Sequence, residues 1–255
     1  MLTGGIEVLA LAVLVCLTAA AAAAAAQRQL GRSSVLLRGT GSTAAVLLPV
    51  LHNLEAADAR KVFEALPARL NACTVSLRHE GAMSALLALS AANADARQRL
   101  VVGASTVCSE RQVHQVKECG AKFLSTMFYS ERVLQVARDE HMAVLGGVMD
   151  HVEATKTLSS GVTSLKFFPS STVTPPVLAN VLAKLATTDA DATASVDVIV
   201  AGGVTAPDFA KYLAVGATGF AIGIDCLQFK NDPAGITLAL DAYLDELVAS
   251  QLVSA

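Results

Sequence analysis

Eight short apolar runs recur along the chain from residue 45 onward, and successive runs start 20 to 32 residues apart. Each is apolar almost without interruption, which is typical of parallel strands buried on both faces. Eight strand–helix units over about 210 residues predict a closed α/β barrel, the (β/α)8 TIM barrel, with a doubly wound open sheet as the alternative. The runs are Ala45–Leu51, Cys73–Leu77, Leu100–Ala104, Lys122–Phe128, Met142–Val148, Ser164–Phe168, Val196–Ala201 and Thr218–Ile224.

Capping residues and helical spacing indicate helices between these runs. Ser109 is a preferred N-cap residue, and Thr174 is another, followed by proline at the first helical position. Asp189–Ser195 is a polar stretch that we interpret as a loop insertion. The helices predicted in this way are Leu54–Leu66, Glu110–Cys119, Pro175–Leu185 and Pro207–Leu213.

Composition limits the classes of partner. The chain is 53% hydrophobic and 16% charged, and its net charge of -3 comes without a basic block, so nucleic acid is not an expected partner. Its five cysteines are odd in number and lack Cys-x-x-Cys spacing. We therefore predict neither a disulfide framework nor a zinc site.

The first 44 residues differ from the rest. Nineteen residues from Val8 to Ala26 carry no charge, and eight alanines end this stretch. This stretch is typical of a signal peptide, although Glu7 stands where a positive charge is usual. It is also about long enough to span a bilayer. Because alanine is only weakly apolar, we favour a removable signal over a permanent membrane anchor. Gln27–Leu54 has three arginines and no acidic residue, as in organelle transit peptides.

We therefore expect a signal- or transit-like extension over residues 1–44 and a barrel domain over residues 45–255. The composition favours import into an organelle, such as a plastid. The alternative is a poorly ordered tail without targeting value.

One lysine lies inside an apolar run, in the sequence "SLKFFPS" at residues 164–170. A buried ammonium is costly unless it is paired or neutralised. Lys166 is therefore either a lysine that extends to solvent from a strand end, or an amine whose pKa is lowered by burial so that it attacks a carbonyl. In a barrel of this kind the active site lies at the carboxyl ends of the strands.

That rule sorts the remaining polar residues. Lys122 begins the fourth strand and is expected at the opposite end of the barrel. The residues expected at the carboxyl ends are His52 at the end of the first strand, Arg78 at the end of the second, Ser105 and Thr106 after the third, Gly202 and Gly203 at the end of the seventh and Asp225 at the end of the eighth.

Five motifs, in this order along the chain, resemble the 2-keto-3-deoxy-6-phosphogluconate (KDPG) / 4-hydroxy-2-oxoglutarate (KHG) aldolase family. The lysine followed by Phe-Phe-Pro is the most specific of them. The motifs are "TVSLRHE" (74–80), "VGASTV" (102–107), "LKFFPSS" (165–171), "AGGV" (201–204) and "AIGIDCL" (221–227).

The resemblance implies a class I aldolase that cleaves a 2-keto-3-deoxy sugar acid, phosphorylated or not, to pyruvate and an aldehyde. Lys166 would form the Schiff base, without a metal or cofactor. Arg78 would bind the substrate carboxylate, with Thr106 beside it and Phe168 packed against the substrate. The alternatives are a surface salt bridge for Arg78, a strand-capping hydroxyl for Thr106 and a plain core role for Phe168. Family members are commonly trimers, which implies a homo-oligomer.

Three sites depart from the family pattern. Thr74 replaces the glutamate that acts as general acid and base, which leaves His52 as the better candidate base. The alternative is that His52 stands at the position of a substrate-binding arginine found in some relatives. Ile224 and Asp225 replace a Gly-Ser pair on the phosphate side, where Gly202 and Gly203 still offer backbone N–H groups. A carboxylate there argues against a phosphorylated substrate. Gly146-Gly147 replaces Pro-Gly, which is expected to loosen a loop.

These departures keep two other hypotheses open. The first is a catalytically degenerate homologue whose role is binding or assembly. The second is a sugar-phosphate isomerase or epimerase on a similar barrel, a class that usually needs paired carboxylates or a metal site at the strand ends; the sequence shows neither.

Overall fold

The computed structural model describes residues 45–188 and 195–254. Within these residues, eight parallel strands close into a barrel in chain order, each hydrogen-bonded to the next and the eighth to the first. This confirms the (β/α)8 barrel and excludes the open sheet. The predicted extension over residues 1–44, and residues 189–194 of the predicted insertion, lie outside the described residues.

Strands and helices alternate along the described chain. The strands are β1 (Val46–His52), β2 (Ala72–Ser76), β3 (Val101–Val107), β4 (Phe123–Thr126), β5 (Ala143–Val148), β6 (Ser164–Phe167), β7 (Asp197–Ala201) and β8 (Gly219–Asp225). The α-helices are α1 (Ala59–Ala65), α2 (Ala82–Asp95), α3 (Glu110–Glu118), α4 (Glu131–Asp139), α5 (His151–Ser159), α6 (Pro175–Thr188), α7 (Phe209–Leu213) and α8 (Ala234–Ser254). Short 3-10 turns, Ala56–Asp58 and Ala206–Asp208, precede α1 and α7.

The predicted N-cap at Ser109 is confirmed, because its hydroxyl accepts a hydrogen bond from the Gln112 backbone N–H at 3.4 Å. The third strand was predicted too short. It runs on to Val107 through a shift in its pairing with β4, so Ser105 and Thr106 lie inside β3 rather than after it. Arg78 lies two residues beyond the end of β2.

The expected loosening at Gly146-Gly147 is wrong, because both glycines lie inside β5 rather than in a loop. A Cβ on Gly146 would lie 2.5 Å from the Thr157 side chain. A Cβ on Gly147 would lie 2.5 Å from the Thr126 carbonyl oxygen. The two glycines therefore allow close packing of β5 against α5 and β4.

Side chains that point into the barrel close its amino end. Successive residues of a strand face opposite sides, so Leu48 of β1 points inward while Leu47 packs against the helices. Phe123 of β4 belongs to this inner layer, and a Cβ on Gly103, its partner in the pairing of β3 with β4, would lie 2.5 Å from its ring. The inner cluster comprises Val46, Leu48, Ala72, Phe123, Ala143, Leu145, Ile199, Ala201 and Ala221. The space left inside the barrel therefore lies toward the carboxyl ends of the strands.

None of the described helices combines the length and the apolar composition needed to cross a membrane.

Candidate active site

A cavity of about 340 Å³ occupies the barrel mouth at the carboxyl ends of the strands. All seven residues proposed as catalytic or substrate-binding line it. Leu48, Leu145, Ala201 and Ala221 of the inner cluster also line it, so its base is apolar. The proposed residues that line it are His52, Arg78, Thr106, Lys166, Phe168, Gly202 and Gly203.

Lys166 lies on β6 and is buried, with 8% of its surface exposed. Its Nζ donates hydrogen bonds to the Ser125 hydroxyl at 2.8 Å and to the Thr126 carbonyl at 2.7 Å, both at the end of β4. The Phe168 ring centroid lies 5.9 Å from the same nitrogen. A neutral amine has two N–H bonds, so these two acceptors leave its lone pair available to a molecule in the cavity.

Burial lowers the pKa of Lys166 to about 8, with Arg78 adding to the decrease and Cys108 opposing it. Removal from water disfavours the charged ammonium, and this desolvation causes the largest part of the decrease in pKa. An appreciable fraction of the amine is therefore neutral near pH 8, and a neutral amine is a nucleophile.

Acylation of Lys166 by acetic anhydride is expected to follow this pKa. Below pH 8 the rate should rise about tenfold per pH unit, since only the neutral amine reacts, and above pH 8 it should level off. Peptide mass spectrometry after short exposures from pH 6 to pH 10 measures it. A rate that still rises steeply between pH 9 and pH 10, as for an unperturbed lysine, would contradict the lowered pKa.

Three ionisable side chains line the cavity in the described part of the chain, namely Lys166, Arg78 and His52, and no carboxylate does. Arg78 is exposed at its rim and has no ion-pair partner among the described residues. The cavity therefore favours an anion. Paired carboxylates, which the isomerase hypothesis needs, are not found in its described lining. Over the same residues no group of three or more His, Cys, Asp or Glu is placed to hold a metal ion.

His52 ends β1 and lies over Gly223 of β8, where a Cβ would approach its Nε2 to 3.1 Å. Burial lowers the pKa of His52 from its ordinary value of 6.5, Arg78 lowers it further, and Asp225 partly opposes them. The imidazole is therefore mostly neutral at pH 7 and can accept a proton.

Thr74 also lines the cavity, from β2, and is fully buried. Its hydroxyl donates a long hydrogen bond of 3.4 Å to the Pro49 carbonyl. An alcohol does not accept a proton at neutral pH, so this position lacks the basicity of a carboxylate.

Asp225 lies beside His52 in the pairing of β8 with β1, but it is not among the residues that line the cavity. Its carboxylate accepts hydrogen bonds from the Asn53 side-chain amide at 3.0 Å and the Leu227 backbone N–H at 3.2 Å. Its negative charge therefore lies outside the cavity wall, close enough to act on His52.

Gly202 and Gly203 follow β7 with φ angles of 83° and 87°, a region that favours glycine. A Cβ on Gly202 would lie 2.6 Å from the Phe168 ring. Glycine at this position therefore lets the ring approach the backbone at the cavity edge.

Sequence reasoning missed Ser125 and the Thr126 carbonyl, which hold the lysine. The signal was a polar pair near the end of the apolar run Lys122–Phe128. Lys122 itself is exposed and immediately precedes β4, at the opposite end of the barrel from the cavity, as predicted.

The fold and the cavity together define a class: a (β/α)8 barrel that holds a buried lysine amine at its mouth. The family model described as KDPG and KHG aldolase matches residues 41–233, and the chain belongs to that family.

Similar proteins carry aldolase names. The chain is 28% identical over 127 residues to the 2-dehydro-3-deoxy-6-phosphogalactonate aldolase of Escherichia coli (strain K12), covering 50% of this chain and 58% of that protein. It is 30% identical over 127 residues to the 2-dehydro-3-deoxy-phosphogluconate aldolase of Pseudomonas aeruginosa, covering 49% and 56%. The chain thus spans little more than half the length of the curated relatives it matches.

A solved structure extends the likeness over most of the barrel. The 2-keto-3-deoxy-6-phosphogluconate aldolase of Zymomonas mobilis ZM4 with 3-phosphoglycerate superposes with a TM-score of 0.63 at 26% identity. The superposition covers 82% of this chain and 93% of that one.

Proposed function

We propose that this protein is a class I aldolase that cleaves a 2-keto-3-deoxy sugar acid to pyruvate and an aldehyde through a Schiff base on Lys166. The observation that carries the proposal is the buried Lys166 amine, whose pKa is lowered to about 8 in a cavity without a carboxylate in its described lining. Family membership supports aldolase chemistry, and the named relatives act on 2-dehydro-3-deoxy phosphosugar acids.

The reaction starts when the neutral amine of Lys166 adds to C2 of the keto acid. The C2 oxygen takes up a proton, and the carbinolamine then loses water to give a protonated imine. The imine draws electrons from the C3–C4 bond as a base removes the proton of the C4 hydroxyl, so the aldehyde leaves and an enamine remains. Protonation at C3 and hydrolysis release pyruvate and restore the amine.

Arg78 is proposed to bind the substrate carboxylate. Its planar guanidinium suits two parallel hydrogen bonds to a carboxylate, and no described carboxylate competes for it. Thr106 lies on the same wall, where its hydroxyl is 3.4 Å from that of Ser76. Phe168 is proposed to pack against the substrate's carbon chain.

His52 is proposed as the general base for the C4 hydroxyl. Among the described residues that line the cavity, only His52 and Lys166 carry a nitrogen that is neutral near pH 7 to 8 and can accept a proton. Its lowered pKa keeps it unprotonated at neutral pH, ready to accept a proton.

The distal end of the substrate is proposed to lie toward Gly202, Gly203 and the β8 edge. Backbone N–H groups there suit an oxygen-rich group, but the Asp225 carboxylate beyond the wall disfavours a phosphate dianion. A non-phosphorylated sugar acid is therefore the proposed substrate. The homotrimer implied by the family resemblance stays a prediction.

Removal of the Asp225 charge is expected to shift this preference. Asp225→Asn keeps an oxygen for the Asn53 and Leu227 hydrogen bonds but removes the charge, so KM for the phosphorylated substrate should fall roughly tenfold. KM for the non-phosphorylated substrate should stay within about twofold. Steady-state kinetics on both substrates measure the shift, and equal changes in both KM values would contradict the role of Asp225.

Release of pyruvate from 2-keto-3-deoxygluconate, coupled to lactate dehydrogenase, tests the proposed function. We expect steady turnover that stops when the substrate is consumed. A second candidate function is binding without turnover, which Thr74 and the lack of a carboxylate in the described lining favour. The assay uses an enzyme concentration at which a single turnover would be detected. Substrate binding without pyruvate release under that condition would support the binding function and contradict the aldolase.

A further inference from the structure

Ser105 carries a buried hydroxyl that no other group in the described structure uses. Its side chain lies on β3 and lines the cavity, and the residue is 4% exposed. Its Oγ has no hydrogen-bond partner. A buried hydroxyl without a partner loses its bonds to water and gains nothing in return, so it destabilises the fold. The oxygen itself is enclosed while the residue lines the cavity, so a rotation about the Cα–Cβ bond is what would present the hydroxyl to a ligand there.

The strand pairing places this hydroxyl next to the reactive lysine. Ser105 pairs with Ser125 of β4, and Ser125 Oγ accepts the 2.8 Å hydrogen bond from Lys166 Nζ. Ser105 thus lies one strand away from the group that holds the amine, on the same inner surface. A carbon atom bonded to Lys166 Nζ would therefore lie close to Ser125, the neighbour of Ser105 in the pairing of β3 with β4.

The backbone after Ser105 gives β3 a second hydroxyl in the same wall. Neighbouring residues of a regular strand face opposite sides, yet both Ser105 and Thr106 line the cavity. The register of β3 against β4 shifts between Ser105 and Val107, and Thr106 has a φ of 66°, which is rare for a threonine. Bulges of this kind redirect side chains beside active sites. The Thr106 hydroxyl lies 3.4 Å from that of Ser76, whereas the Ser105 hydroxyl has no partner.

We infer that Ser105 is a substrate-contacting residue that donates a hydrogen bond to the C2 oxygen of the keto acid while Lys166 adds to C2. As the N–C bond forms, the electron pair of the C=O bond moves onto this oxygen, which takes up the proton that the nitrogen loses. A second proton, from solvent, then adds to the C2 hydroxyl, the C–O bond breaks and water leaves. Ser105 keeps its own proton throughout. The inference rests on the proposed Schiff-base function.

This assignment has a kinetic signature, because the C2 oxygen is absent from the finished imine. Ser105 would stabilise the steps that form and break the carbinolamine, but neither the free enzyme nor the imine. Ser105→Ala should therefore slow imine formation and imine hydrolysis by the same factor, about tenfold for one hydrogen bond to a developing charge. The fraction of enzyme present as imine at equilibrium should not change. Loss of an unpartnered buried hydroxyl should leave Tm unchanged or raise it.

The experiment mixes enzyme with pyruvate and traps the imine with borohydride at increasing times, with intact-mass analysis of the adduct. Hydrolysis is followed by diluting the preformed imine before trapping. Ser90→Ala is the matched control, since the Ser90 hydroxyl on α2 is also buried without a partner but does not line the cavity. The control should match the parent in both rates.

Parental rates in Ser105→Ala would overturn the inference while leaving the Schiff base intact. A lower imine fraction at equilibrium with unchanged hydrolysis would also overturn it, because that result would place Ser105 on a group that the imine retains, such as the carboxylate. No adduct in the parent at any time would contradict the proposed function itself, and the inference with it.

Discussion

Lys166→Ala is expected to abolish pyruvate release from a 2-keto-3-deoxy acid. The loss should be on the order of 10⁴-fold or more in kcat, the scale seen when a covalent nucleophile is removed. In the parent the amine takes part in the bond changes, and a methyl group cannot form an imine. Lys122→Ala is the matched control, because Lys122 is an exposed lysine at the other end of the barrel.

The comparison is made on folded protein, since Lys166 donates two buried hydrogen bonds. Circular dichroism and Tm identify any variant that has lost its structure. Retention of more than about a hundredth of the parental kcat in folded Lys166→Ala would exclude this lysine as the nucleophile. A comparable loss in Lys122→Ala would show that the assay reports stability rather than chemistry.

His52→Gln is expected to lower kcat by about 10² to 10⁴, the usual cost of losing a positioned general base. Glutamine keeps the polarity and approximate reach of the side chain but cannot accept a proton. Adding Thr74→Glu to this variant should restore most of the loss, because Thr74 lines the same cavity from the neighbouring strand. The hydrogen bond given up at Thr74 is a long one of 3.4 Å, but Thr74 is fully buried and a buried carboxylate is costly, so Tm is measured to show that the variant stays folded.

The pair of variants separates His52 from other bases. Unchanged kcat in His52→Gln would remove His52 from the base role. A parent that is nearly inactive, but gains about 10² or more from Thr74→Glu alone, would show that the native site has no working base. No gain in either background, with imine formation intact, would favour the binding function over the aldolase.

The barrel was predictable because its signal is repeated. Eight uninterrupted apolar runs have few solutions other than a closed parallel sheet, and the strand bounds differ from the predicted ones by a few residues. The unusual position of Lys166 was predictable for a related reason, since a charge inside such a run stands out, whereas its role as nucleophile came from the family resemblance and stays a prediction. The seven residues proposed from the carboxyl-end rule and the family resemblance all line one cavity, whereas Asp225, which the rule also selected, does not.

Other features of the site depend on contacts between strands that no local pattern encodes. The bulge at Thr106 arises from the pairing of β3 with β4. This bulge is what lets the successive residues Ser105 and Thr106 both line the cavity, and the sequence alone does not reveal it. Gly146 and Gly147 suggested a loose loop, but neighbouring elements leave no room for side chains. The Ser125 and Thr126 acceptors come from a strand 40 residues away in sequence, a distance over which sequence spacing says nothing about contact.

Covalent trapping tests the central claim most directly. Pyruvate and borohydride are added to the purified protein, and the modified residue is located by peptide mass spectrometry. The account predicts one pyruvate-derived secondary amine per chain, on Lys166, that is absent in Lys166→Ala and present in Lys122→Ala. An adduct that persists in Lys166→Ala, or no adduct in a folded parent near pH 8, would contradict the Schiff base.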